Sequence, residues 1–380
     1  MSNVPVTIES LTAHAVAYPE PHYRGVERYL TFARVEANDG TVGWGEAISQ
    51  FPESALATKT IVETGFAPLL IGRDPRAVPP LWEALLERVW WYGQEGIAAF
   101  AISAVDMALW DLAGRLAGEP VATLLGGDTD RSALAMGSII FDMEDTDWTL
   151  NQFAFMRDAG YRVVKAGWGM RPEALFGQDR HRDVEMVRRL REEVIGDLDL
   201  VVDTPGHLGL WDVETAIERC QALAPYGLRW LEQPLPPADL SGHAALRGQS
   251  PVQIGTGEDE WNVESYARLV GSGGVDVVQI DPGRALGISG ARKVVQLVYA
   301  AELEPSFHTW SSALNTAASI HLATLGPQPV CMDFKPHRSP MQHELVTEPW
   351  VPSDGYLSVR ETPGLGVEVN EAVVAHYELD

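Results

Sequence analysis

Six acidic or imidazole side chains close short apolar runs in the second half of the chain. Asp203 ends "DLVVD", Glu232 ends "RWLE", Glu258 ends "VQIGTGE", Asp281 ends "DVVQID", His308 ends "EPSFH" and Asp333 sits in "VCMDF". Each follows the last by roughly 23 to 29 residues, about one strand-plus-helix unit. A single acid at a strand end often only caps the next helix, whereas six in phase point to one shared location. Three neighbouring carboxylates, Asp203, Glu232 and Glu258, do not stay ionised together without a cation among them. Oxygen donors alone select a hard ion, Mg²⁺ first and Mn²⁺ second, while zinc would want His or Cys and none is in phase with these three. A lone strand histidine is more often structural than catalytic. His308, however, follows a strand that presents Asp281 at an equivalent level. A carboxylate on one ring nitrogen fixes the tautomer and makes the other nitrogen a general base. Asp333 stays open between two readings: protonated, it donates to a developing oxyanion; ionised, it is only a network member.

A seventh residue stands out in "YRVVKAGWG", residues 161–169. Lys165 is a lone ammonium in a strand core, and its same-face neighbour two residues on is Gly167.

The elements that must position these groups form a rhythm that starts near residue 131. Apolar runs such as "ALAMGSII", "RVVKAGW" and "LRWLEQP" alternate with amphipathic stretches such as "RDVEMVRRLREEV" and "VETAIERCQALAPY". Near-continuous apolar strands separated by helices imply a parallel sheet covered by helices, and eight of them fit a closed α/β barrel. The C-terminal strand ends of such a barrel converge on one mouth. Before it lies an α+β region: "TIESLTAHAVAY" and "YLTFARVEAND" alternate as strands, and "NDGTVGWGEA" turns into a third. Helical patterning then runs from Glu53 to Leu116 and stops at Gly118. The tail "DGYLSVRETPGLGVEV" reads as strand and turn, packing back on this first region.

Bulk properties exclude several functions. The 380 residues carry 28 Lys plus Arg against 53 Asp plus Glu, a net charge of -25, and 46% are hydrophobic. That field repels phosphate backbones and anionic lipid, so neither nucleic acid nor membrane is expected as a partner. No apolar run approaches the ~18 residues of a membrane span. The start "MSNVPVTIES" lacks a basic segment before an apolar one, so no signal peptide is expected and a cytoplasmic location is the default. Cys220 and Cys331 read as small buried hydrophobes. No P-loop, dinucleotide fingerprint or HExxH pattern is present.

As a set, "NDGTVGWGEA", "AFAISAVDMALWDLAGRLAG", "LLGG", "VVKAG", "VVD", "WLEQPL", "GTGE", "VVQIDPGRALGIS", "PSFH" and "SPMQHELVTEP" resemble the enolase superfamily, mandelate racemase subgroup. The resemblance implies a (β/α)7β TIM-like barrel over residues 129–349. It also implies an α+β capping domain over 1–128, completed by about 350–380, and commonly a homo-oligomer. It implies that Asp203, Glu232 and Glu258 bind Mg²⁺, that His308 and Asp281 form a base dyad, and that Lys165 contacts a substrate carboxylate. The shared partial reaction removes a proton α to that carboxylate and gives an enediolate. Asp333 stands where the family usually has a glutamate facing the oxyanion.

Two departures narrow the expectation. The subgroup normally reads Lys-x-Lys in the strand where this chain has Lys165 and Gly167, so a second base on the opposite substrate face is missing. Inversion by two bases is therefore disabled, while β-elimination needs one dyad. An acid-sugar (aldonate or aldarate) dehydratase giving a 2-keto-3-deoxy acid is expected. The rivals are an epimerase, racemase or lactone cycloisomerase, and a non-catalytic barrel that binds a sugar acid. The second departure is "DTPGHLGLW", where Pro205 replaces an asparagine and His207 is brought near the mouth, either for the missing group or as a solvated loop residue. Substrate contacts are expected from His22, Tyr23 and Arg24 in "PEPHYRGVERY" and from the loop near Phe51. Trp90, Trp91 and Tyr92 read as helical core or a subunit contact.

Overall fold

The computed structural model describes residues 5–327 and 329–379. Among them, eight parallel strands close into a barrel: β4 (Ser132–Ile140), β5 (Val163–Gly167), β6 (Asp199–Asp203), β7 (Leu228–Glu232), β8 (Ile254–Thr256), β9 (Val277–Ile280), β10 (Glu304–Phe307) and β11 (Cys331–Phe334). Each pairs with the next, and β11 returns to β4 with Asp333 opposite Met136. An antiparallel sheet of β1 (Ile8–Glu20), β2 (Val26–Ala37) and β3 (Val42–Ala47) precedes it.

One helix separates each pair of consecutive barrel strands. Most begin where a short polar side chain accepts a first-turn N–H: Asp145, Asp179, Asp212, Asp239, Asn262 and Ser312 all do so. The Gly287–Ala300 helix is the exception. Its cap comes from outside: the buried Asp106 accepts from Ser289 N at 2.8 Å and Ser289 Oγ at 2.6 Å. The interior is filled by Leu134, Met136, Val163, Val201, Trp230, Val277 and Cys331. Gly255 makes room for the largest of these, since a Cβ there would meet the Trp230 ring at 2.6 Å. Such a plug closes the barrel below its C-terminal rim.

Asp106 lies on the Ile97–Ala117 helix, which packs on the antiparallel sheet. Gly43 and Gly45 permit this close seat, because a Cβ on either would lie 2.2–2.3 Å from a carbonyl oxygen of that helix. This helix corrects the expectation that no run is long and apolar enough to span a membrane. It meets both conditions, but 94% of its apolar window is packed inside the protein. The tail divides. β12 (Tyr356–Ser358) pairs antiparallel with β4 of the barrel, while Leu365 N donates to Asp111 of the long helix and Leu379 N to Ala15 of β1.

Candidate active site

β6 and β7 end in register, Asp203 beside Glu232. Glu258 follows β8 through Gly257, whose φ of +131° and close approach to Gln279 exclude a side chain. Carboxylate oxygens of Asp203, Glu232 and Glu258 lie within 4.8 Å of one another. Asp203 Oδ1 and Glu258 Oε2 are buried with no hydrogen-bond partner. Orphaned buried acceptors are rare in native proteins, and two in one all-oxygen cluster fit a hard divalent cation.

Lys165 reaches into the same cluster. Its ammonium bonds Glu232 Oε1 and stands 3.4 Å from Asp203 Oδ2 and 3.5 Å from Asp333 Oδ2. Burial alone would lower its pKa; Asp333, Glu232, Asp203 and Glu258 outweigh that and hold it well above the usual lysine value. Burial, then Glu232, pushes Asp203 well above the carboxylate range, and burial lifts Glu258 to about 7. Burial is the larger cause of both shifts, and repulsion from the neighbouring carboxylates adds to it. Gly167 has a steric reason. A Cβ there would sit 1.9 Å from the carbonyl oxygen of Asp203. The backbone of the neighbouring strand occupies the place, so position 167 has no room for a side chain.

The His308 ring donates from Nδ1 to Asp281 Oδ2 at 2.7 Å. Its Nε2 faces the acidic cluster, 3.8 Å from Glu258 Oε2. The other oxygen of Asp281 is held by Gly283 N at 2.7 Å and Asn315 Nδ2 at 2.9 Å. Burial lowers the pKa of His308, but Glu258 and Asp281 raise it to about 10. Asp333 lies buried between Lys165 and the dyad strand, its Oδ1 without a partner. Burial raises its pKa.

The expected capping-loop contacts fare differently. His22 is buried with both nitrogens engaged, Nδ1 on Glu20 at 2.8 Å and Nε2 accepting from His337 N at 3.1 Å. Neither is left for a substrate, so His22 is a framework residue. Arg24 is held by the buried Asp142 beyond β4, and Tyr23 is half-buried beside it. His207 is exposed and lies against Trp168, the rings tilted by 31° with centroids 4.7 Å apart, without joining the carboxylate cluster. Trp90, Trp91 and Tyr92 are 71%, 80% and 53% exposed, which overturns the core reading.

Two interface groups escaped the sequence reading. The fully buried Glu46 of β3 accepts from Ser312 Oγ and from Asn315 N at 3.3 Å. It thus anchors the helix whose Asn315 holds Asp281. Lys335, two residues past Asp333, is fully buried and bonds Glu20, Ser311 O at 2.9 Å and Tyr18 OH at 3.4 Å. The period-two spacing in "DFK" was the available signal for Lys335. Asn315, inside the apolar helix "ALNTAASIHLA", had only its polarity.

A closed barrel with acids at the rim under a three-stranded cap defines a class of enzyme fold. The chain belongs to the enolase superfamily, in its mandelate racemase and muconate lactonizing enzyme branch. Residues 149–373 match the enolase C-terminal domain-like family, and residues 23–126 match the N-terminal domain of mandelate racemase and muconate lactonizing enzyme. The chain is similar to an L-rhamnonate dehydratase of Saccharopolyspora erythraea, at 32% identity over 89% of this chain and 83% of that one. It is also similar to a 3,6-anhydro-alpha-L-galactonate cycloisomerase of Streptomyces coelicolor, at 30% identity over 89% and 88%. A crystal structure of an enolase from Bradyrhizobium with magnesium and mandelic acid superposes with a TM-score of 0.86, at 28% identity and full coverage of both chains.

Proposed function

We propose that this protein is a Mg²⁺-dependent acid-sugar dehydratase that converts an aldonate or aldarate to a 2-keto-3-deoxy acid. The observation that carries it is one-sided chemistry: a His308–Asp281 dyad faces the carboxylate cluster, and the backbone of Asp203 fills the place of an opposite base at Gly167. Asp203, Glu232 and Glu258 would hold the ion, Mn²⁺ being the next best fit to the same donors. A divalent ion there supplies positive charge to the substrate carboxylate and so acidifies its α-carbon. Lys165 supplies a further fixed charge to that carboxylate. Asp281 orients the ring, and with a cation offsetting the Glu258 charge that raises its pKa, the neutral ring of His308 would take the α-proton at Nε2. The electron pair left on the α-carbon expels the β-hydroxyl, protonated by the same imidazolium, and water departs. The enol product then ketonises.

The test is keto-acid formation from a library of aldonates and aldarates with Mg²⁺ present. Recovered substrate with an inverted, deuterated α-centre and no keto acid would sink the reading. A second reading is a cycloisomerase, favoured by similarity to the anhydrogalactonate enzyme. There the same dyad would expel a β-oxygen that belongs to a ring. Product mass separates the two, because ring opening loses no water.

A further inference from the structure

The capping sheet brings a second polar group to the rim above β10 and β11, which the α-proton chemistry leaves unused. Arg28 of β2 is 9% exposed. Among the described residues its guanidinium has no ion pair and no hydrogen bond, and its Nε is buried without a partner. Its Cζ lies 4.9 Å over the ring of Trp310. Trp310 is 7% exposed, and its indole N–H also lacks an acceptor. Two buried N–H groups packed together, Nε of Arg28 and Nε1 of Trp310, are left without a protein acceptor.

The nearby acids are already spent. Glu20 accepts from Lys335 and from both N and Nδ1 of His22, and Glu46 accepts from Ser312 and Asn315. Cation–π contact with Trp310 offsets only part of the desolvation of a guanidinium. In a chain with 53 acidic residues, an arginine kept buried and unpaired points to an anion that arrives from outside.

Its position says which part of the ligand that would be. Trp310 follows His308 by two residues, so at most roughly 7 Å of chain separates them. That is comparable to the span of a short sugar chain whose α-carbon sits at His308. We infer that Arg28 and Trp310 form the subsite for the far end of the substrate and take a second carboxylate, which makes the substrate a sugar diacid. A planar guanidinium fork matches a carboxylate, whereas a neutral hydroxyl would leave its charge uncompensated. Arg24, the arginine more prominent in the loop sequence, is unsuited because Asp142 already holds it. The inference rests on the sugar-acid reading above and narrows it.

Aldarates and aldonates of matched configuration, assayed with the whole enzyme, test it. The expected kcat/KM favours the diacid by roughly 10- to 100-fold. Arg28→Gln collapses that ratio through KM rather than kcat, and Trp310→Phe, which removes the indole N–H and keeps an aromatic ring, reduces it less. Equal use of both acids by the wild type, or Arg28→Gln lowering both alike, overturns the subsite. Should Arg28→Gln not fold, an unchanged ratio in Trp310→Phe overturns it. Calorimetry on His308→Asn separates this inference from the reaction. Tighter diacid binding there without keto acid from the wild type supports the subsite and removes the dehydratase reading. Keto acid without diacid preference does the reverse.

Discussion

The acidic rim at β6 to β8 and the capping loop at residues 21–25 were both expected to hold ligand groups, and they differ in how the chain builds them. At the rim each acid follows a paired strand, and strand register brings Asp203 and Glu232 level. Backbone pairing therefore dictates where the side chains go. In the loop, nothing in the local backbone says which of His22, Tyr23 and Arg24 faces a substrate. Glu20, two residues before His22, and Asp142, 118 residues after Arg24, take these side chains for the framework. Chemistry on ladders is legible in advance; chemistry on loops is decided by whichever partner arrives.

The comparison breaks most severely if the rim is not a metal site. Chelation by EDTA is expected to abolish turnover and Mg²⁺ to restore it, with a higher melting temperature on adding the ion because it binds only the folded state. Unchanged activity in EDTA would end the proposal. His308→Asn should lower kcat by about 10²- to 10⁴-fold while Mg²⁺ still raises the melting temperature. Activity near wild type would take the dyad out of the mechanism.

Gly167 sharpens the contrast from the steric side. The 1.9 Å approach of Asp203 O leaves no place there for a second base. Gly167→Ala is expected to destabilise by about 1–3 kcal/mol in urea melts, and Gly167→Lys to give no opposite-face α-proton exchange. Stable variants with exchange would refute the packing argument. Asn315→Ala removes one of the two donors to Asp281 Oδ1 and leaves Gly283 N. Loss of a hydrogen bond to a charged group predicts roughly a 10-fold fall in kcat with KM little changed. The smallest effect is expected at the loop: His207→Ala should change kcat/KM by less than about threefold, since an exposed residue that touches no cluster member contributes little.

Much of the barrel and of its rim could be read from residue order. Strand runs, helix caps and acids in phase are local patterns, and the pairing of strands converts period into position. The tail shows the limit. "GYLS" reads as a strand from its own residues, yet its partner is β4 and not the capping sheet, because any strand pairs with whichever edge is open nearby. Likewise Trp90 and Trp91 look like core by composition, and only the packing of the helices around them leaves them outside.

Residue types and spacing alone determined that this chain makes a parallel barrel with carboxylates and one imidazole at a common end. The reason is that hydrophobic periodicity and strand alternation act over a few residues and need no distant partner. That Arg28 is buried without a partner, what fills the space at Gly167 and what steadies Asp281 were decided only by tertiary structure. These properties depend on contacts between separate elements, within the barrel at Gly167 and Asp281 and at the capping sheet for Arg28, and no local pattern encodes those distances.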